Sequence, residues 1–135
     1  MGGEMIALAH RVEAIPNPNG TKPVTLSWPA HALSPNARCH WAVKSKAVKA
    51  YRREAWIEGL RAKWDKLDPA VGLIGLRVVF QPPSNRRYDL DNCVASIKSL
   101  LDGLADALGV DDARFQLSAA MGPKAPRGAV VVSLE

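Results

Sequence analysis

Cysteine is scarce in this chain: two residues, Cys39 and Cys93, stand far apart and outside any C-x-x-C spacing. That excludes a zinc ribbon and a disulfide framework, and makes a reducing compartment the simpler expectation. Long apolar runs are missing as well. No stretch approaches the roughly 18 apolar residues a transmembrane helix needs, and the opening Met1-Gly2-Gly3-Glu4 lacks a basic segment followed by an apolar one. The expectation is a soluble, cytoplasmic chain with no membrane partner. There is no internal repeat, and His10, His31 and His40 show no ligand spacing; His40, close to Arg38, is at most a phosphate contact.

What is present fits one domain. A length of 135 residues suffices to bury most of a single apolar core without disulfides or a structural metal. Lys and Arg outnumber Asp and Glu by 18 to 13, for a net charge of +5, which favours a polyanionic partner without identifying one.

Residues 1–22 end near the turn-rich Pro16-Asn17-Pro18-Asn19-Gly20 and read as an N-terminal extension of unreadable role, leaving 23–135 as the folded domain. Val24 to Trp28 alternates and stops at Pro29, a first strand. His31 to Trp41 reads as a loop. Val43 to about Trp64 then reads as a long basic amphipathic helix, with Val48, Tyr51, Ala55 and Leu60 on one stripe. Leu73 to Phe80 is a buried strand ended by Pro82-Pro83. Asn92 to Leu108 carries Val94, Ile97, Leu101, Leu104 and Leu108 at helical spacing and stops at Gly109. Arg114 to Met121 and Ala129 to Leu134 read as two strands joined as a hairpin through a basic loop. The expected fold is α+β, with a mixed sheet in β-α-β-α-β-β order packed against two helices. Trp41, Trp56 and Trp64 are expected as core or interface anchors rather than base-stacking platforms.

The chemistry concentrates between the second strand and the second helix. Asp89 and Asp91 lie two apart, so in an extended segment they would point the same way and could hold one hard cation. They could equally cap the helix that follows. Arg86-Arg87 just upstream places cations able to bind phosphate against carboxylates able to hold Mg²⁺, which suits phosphodiester cleavage. Asp111-Asp112 beyond the helix would join them only if the chain returns to the same end; otherwise it is a solvated turn. Lys98 and Asp102 have the spacing of an i,i+4 surface ion pair. A calcium loop of EF-hand type is excluded, because Val94 and Leu100 stand where Gly and Glu would be needed.

The ordered set Arg86-Arg87-Tyr88-Asp89-Leu90-Asp91-Asn92, Lys98, Asp102-Gly103-Leu104 and Asp111-Asp112 resembles the signature of the RusA family of Holliday-junction resolvases. Upstream, Leu33-Ser34-Pro35-Asn36 and the basic stretch from Lys44 to Arg53 sit as in that family, so the resemblance covers roughly 23–135. It implies that Asp89, Asp91 and Asp112 bind Mg²⁺, with Mn²⁺ as a substitute and Asp111 as a possible further ligand. Lys98 would be the essential lysine near the scissile phosphate. The pattern departs in spacing: many members place the lysine four residues after the second aspartate, where Ala95 stands here, and Lys98 comes three later, a shift of about 4.5 Å along a helix.

The resemblance further implies a homodimer, since resolving a four-way junction takes two symmetric nicks, with a role in recombination and repair. DNA binding would fall to Arg86, Arg87, Arg38, Lys44, Lys46, Lys49, Arg52 and Arg53, with strongly salt-dependent affinity. Two other readings stay open. One is a module that binds branched DNA but has lost cleavage, favoured by the displaced lysine. The other is phosphoryl transfer on a small molecule, for which the Asp89-x-Asp91 pair lacks a following Thr or Val.

Overall fold

The structure is a computed structural model, and it describes residues 22–69 and 71–135. The extension expected over 1–22 thus lies, Lys22 apart, outside the described residues. Strand β1 (Val24–Ser27) alternates buried and exposed residues as its sequence does, turning Val24 and Leu26 inward. β2 (Ile74–Gln81), β3 (Phe115–Met121) and β4 (Ala129–Leu134) complete one mixed sheet in the order β1-β4-β2-β3. β4 pairs antiparallel with β1 and β2, while β2 and β3 run parallel. The α+β class and the element order are as expected.

The hairpin of the last two strands is not formed. β4 lies on the far side of β2 from β3, and the segment 122–128 crosses the end of β2 to get there. The Gly122 N–H donates to the Phe80 carbonyl at 2.7 Å and the Ala125 N–H to that of Pro82 at 3.0 Å, so the linker is anchored on β2 rather than turning back on β3. Placing β4 centrally surrounds its Val130, Val131 and Val132 with neighbours on both sides, and all three are buried. Such residues contribute roughly 1.5–3 kcal/mol each on burial.

The long helix, α1 (Trp41–Arg61), begins two residues earlier than its spacing suggests, because the His40 imidazole caps it: Nδ1 accepts from the Ala42 N–H at 3.1 Å. It ends before Trp64, where Lys63 adopts a left-handed conformation (φ 65°) and a short 3₁₀ turn (Trp64–Lys66) follows. Its inward stripe is Tyr51, Ala55 and Gly59, four residues apart. Val48 and Leu60 are only half-buried. Trp64 is fully buried, as expected of an anchor, but Trp41 is 75 % and Trp56 40 % exposed, so neither is a core residue of the single chain.

The second helix is divided in two, α2 (Leu90–Ala95) and α3 (Lys98–Leu108). The Ser96 hydroxyl donates to the Asn92 carbonyl at 2.8 Å, and the Ser96 and Ile97 amides bond three residues back, to Cys93 and Val94. Hydroxyl bonding to the i−4 carbonyl bends helices, and i,i+3 bonds tighten them. α3 packs on α1 at very short range. A Cβ placed on Gly103 would stand 2.2 Å from the Arg52 carbonyl oxygen, and one on Gly59 2.8 Å from the Ala107 Cβ. Glycine is required at Gly103 because the backbone of the other helix occupies the side-chain position.

Candidate functional site

Where β1 and β2 end, the chain builds a cleft of ≈ 560 Å³. One wall comes from Trp28 to Ser34, the other from Arg86, Arg87 and Asp89 through Asn92, Cys93 and Ser96. Aromatic packing holds the second wall. Trp28 meets Phe80 edge-on at 6.2 Å and Tyr88 at 5.3 Å between centroids, and the Arg86 guanidinium lies 4.7 Å from the centre of the Tyr88 ring. The Tyr88 and Ser84 hydroxyls are hydrogen-bonded at 3.0 Å. The segment carrying both arginines is thereby pinned to the end of the sheet, and the Tyr88 ring adds a cation–π attraction to Arg86.

Asp89 is the N-cap of α2. Its backbone is extended (φ −85°, ψ 120°) and its Oδ1 accepts from the amides of Asp91 (2.9 Å) and Asn92 (3.3 Å). Asp91 already lies in the first helical turn, so the two carboxylates are not side by side on one extended strand as their spacing suggests. Asp89 lines the cleft; Asp91 is exposed beside it and is not part of the wall. The helix-capping alternative is realised for Asp89, whose second oxygen is left to other partners.

Cys93, also in the wall, is buried, and burial followed by the charge of Asp89 pushes its thiol above the ordinary value. That keeps it protonated near neutrality, which removes a thiolate nucleophile from the chemistry open to the cleft.

Lys98 opens α3 and stands between two acids. Its Nζ bonds Asp102 at 2.8 Å and, more closely still, Asp112. The hydrogen bond to Asp102 and then that to Asp112 raise the lysine pKa, and the lysine lowers that of Asp112. Both groups stay charged at neutral pH. Asp111 caps the short 3₁₀ turn Asp112–Arg114 by accepting from the Ala113 N–H at 2.8 Å. Farther along α3, Asp106 takes both ends of the Arg52 guanidinium, at 2.7 and 2.9 Å.

The carboxylates thus form two groups, Asp89 with Asp91 at the start of α2, and Asp102, Asp106 and Asp112 around Lys98 and Arg52. Among the described residues no group of three or more His, Cys, Asp or Glu side chains stands together as an ion would need. Topology gives the reason. Asp89 and Asp91 open α2, whereas Asp112 is held by Lys98 at the start of α3, seven residues past Asp91 and about 10 Å farther along a helix axis. The donors present are hard oxygens of the kind Mg²⁺ takes, offered as two on α2 and a third engaged by Lys98.

Of the cations expected on DNA, Arg86 and Arg87 line the cleft, and Arg38, Lys44, Lys46, Lys49 and Arg53 are exposed on or just before α1. Arg52 is committed to Asp106 and serves helix packing. Trp28, His31 and Cys93 were not singled out for the cleft by spacing; their one signal is position, at the C-terminal end of β1 and in the first turns of α2.

Among the described residues, no helix is long and apolar enough to cross a membrane. No family model matches the chain. A protein of Xylella fastidiosa (strain Temecula1), whose description is "Uncharacterized protein", is 48 % identical over 93 residues, which is 68 % of this chain and 61 % of that protein. The chain therefore spans less than two thirds of the length of that relative.

Proposed function

We propose that the chain is a Mg²⁺-dependent, structure-selective endodeoxyribonuclease that resolves branched DNA, four-way junctions included, by paired nicks from a homodimer. The observation that carries this reading is the cleft wall, where two guanidiniums able to hold a phosphate adjoin the Asp89 carboxylate at the start of α2. The ordered resemblance to junction resolvases supplies the substrate class. Asp89 and Asp91 would hold the ion, with Asp112 as third ligand once Lys98 releases it and Lys98 then free to offset charge on the phosphate. Bound Mg²⁺ would polarise a phosphoryl oxygen and lower the pKa of a coordinated water.

The test offers a four-way junction and a linear duplex to the purified protein with Mg²⁺, alongside Asp91→Asn. Nicking confined to the junction and to the unaltered protein is expected. Intact junctions across divalent ions, with the protein shown to be folded, would refute it.

One observation favours a second reading, a branched-DNA-binding module without cleavage: Lys98 and Asp112 are engaged with each other and three ligands do not converge. Junction binding without nicking, unaltered by Lys98→Ala, would select that reading.

A further inference from the structure

The first turns of α1 lie at the surface, and the segment meets the core only through the partly buried Ala47 and Val48. None of residues 41–50 is buried, the first buried residue being Tyr51, yet this arm carries Trp41 at 75 % and Val43 at 54 % exposure. The fold draws little packing energy from a tryptophan placed this way. The imidazole of His40, fixed by its cap on Ala42, lies beside the indole with centroids 5.5 Å apart and planes tilted by 33°. Two flat rings therefore stand at the start of the arm, one of them immobilised by a backbone bond.

Charge identifies what such a pair meets. Arg38 precedes it and Lys44, Lys46, Lys49 and Arg53 follow it along the helix, all exposed, and the sequence holds no Asp or Glu between Lys22 and Arg53. Among the described residues none of these five is in an ion pair; the ion-paired cations of this helix are Arg52 and Arg61. An arm-to-arm contact between two copies would bring five like charges against five, which disfavours it. An anionic surface is favoured, and one with apolar planar faces uses the indole as well.

We propose that Trp41, flanked by His40, is a stacking platform for unpaired bases of a nucleic-acid strand whose phosphates are drawn by the exposed cations of the same arm. The inference shares a nucleic-acid partner with the nuclease reading but none of its chemistry, since the carboxylates play no part in it. Stacking is indifferent to base identity because every base has a π-face, while the cations supply the salt-dependent share of affinity.

Binding of the full chain to a fluorescein-labelled oligo(dT) strand, followed by anisotropy in EDTA across a salt series, separates the two shares. Trp41→Ala is expected to weaken binding about tenfold and to leave the salt slope unchanged, since no charge is lost. Trp41→Phe, which keeps a stacking ring, recovers most of the affinity, and Lys46→Ala lowers the slope. Affinity within twofold of the unaltered protein for Trp41→Ala overturns the proposal. So does a Trp41→Ala protein that sediments as a smaller species than the unaltered one, which assigns the indole to a contact between copies. With EDTA present cleavage is off, so failure here leaves the nuclease reading standing, and an inert cleft leaves this one standing.

Discussion

Gly103→Ala isolates the contact on which the placement of α3 depends. The new methyl would sit 2.2 Å from the Arg52 carbonyl oxygen and 2.8 Å from the Ala55 Cβ, where ordinary contacts begin near 3.4 Å. Neither neighbour can turn away, since one is backbone and the other a methyl, so α1 and α3 must separate by about 1 Å at that crossing. Overpacking of a core costs about 1–3 kcal/mol, and a backbone obstacle argues for the upper end. Against this, alanine is about 1 kcal/mol better than glycine inside a helix. The net expectation is a loss of about 2 kcal/mol, read as a lower urea midpoint with unchanged m-value or a melting temperature lower by roughly 8 °C for a domain of this size. Gly109→Ala is the control: Gly109 is left-handed (φ 75°) with open space around the Cβ position, so only backbone strain of about 1 kcal/mol applies. A Gly103→Ala protein as stable as the unaltered one would refute the close-packing argument, and with it the account of how Lys98 and Asp102 are positioned.

Two further predictions follow from charges and caps. At Asp89, Asn keeps the helix cap while Ala removes it, so Asp89→Ala should cost about 1 kcal/mol of stability and Asp89→Asn much less, whereas both should abolish Mg²⁺-dependent nicking; thermal melts beside a junction assay check the split. The Arg52 hydrogen bond and charge hold Asp106 below the usual carboxylate value. The unfolded state therefore takes up the proton first as pH falls, and the stability this pair gives is complete above the unfolded carboxylate pKa, about 4, and is lost below it. Arg52→Gln should flatten the acid limb of a stability-against-pH curve, and added salt should shrink the difference because both side chains are exposed to water.

Periodicity made most of the fold legible. β1 was readable because its alternation matches its burial, β2 because an apolar run bounded by Pro82-Pro83 has few other uses, and α3 because Leu101, Leu104 and Leu108 share one buried face. Partner choice was not legible: nothing local tells Ala129–Leu134 to lie against β1 and β2 instead of β3, since that decision rests on a seven-residue linker and on hydrogen bonds to Phe80 and Pro82. The break at Ser96 was hidden for a similar reason, because a serine reads the same whether its hydroxyl meets water or a carbonyl. Within the candidate site the Lys98–Asp102 pair was readable from spacing alone. The engagement of Lys98 by Asp112 depends on how residues 109–112 return along α3, and the exposure of Trp41 on which residues of α1 meet the core.

The proposed cleavage requires Asp89, Asp91 and Asp112 to serve one divalent ion, and a crystal soaked with Mn²⁺ measures that directly. The expected result is an anomalous peak bounded by the Asp89 and Asp91 carboxylates, with Asp112 turned toward it and Lys98 released. Density that leaves Lys98 on Asp112 and shows no Mn²⁺ at Asp89 and Asp91 would contradict it.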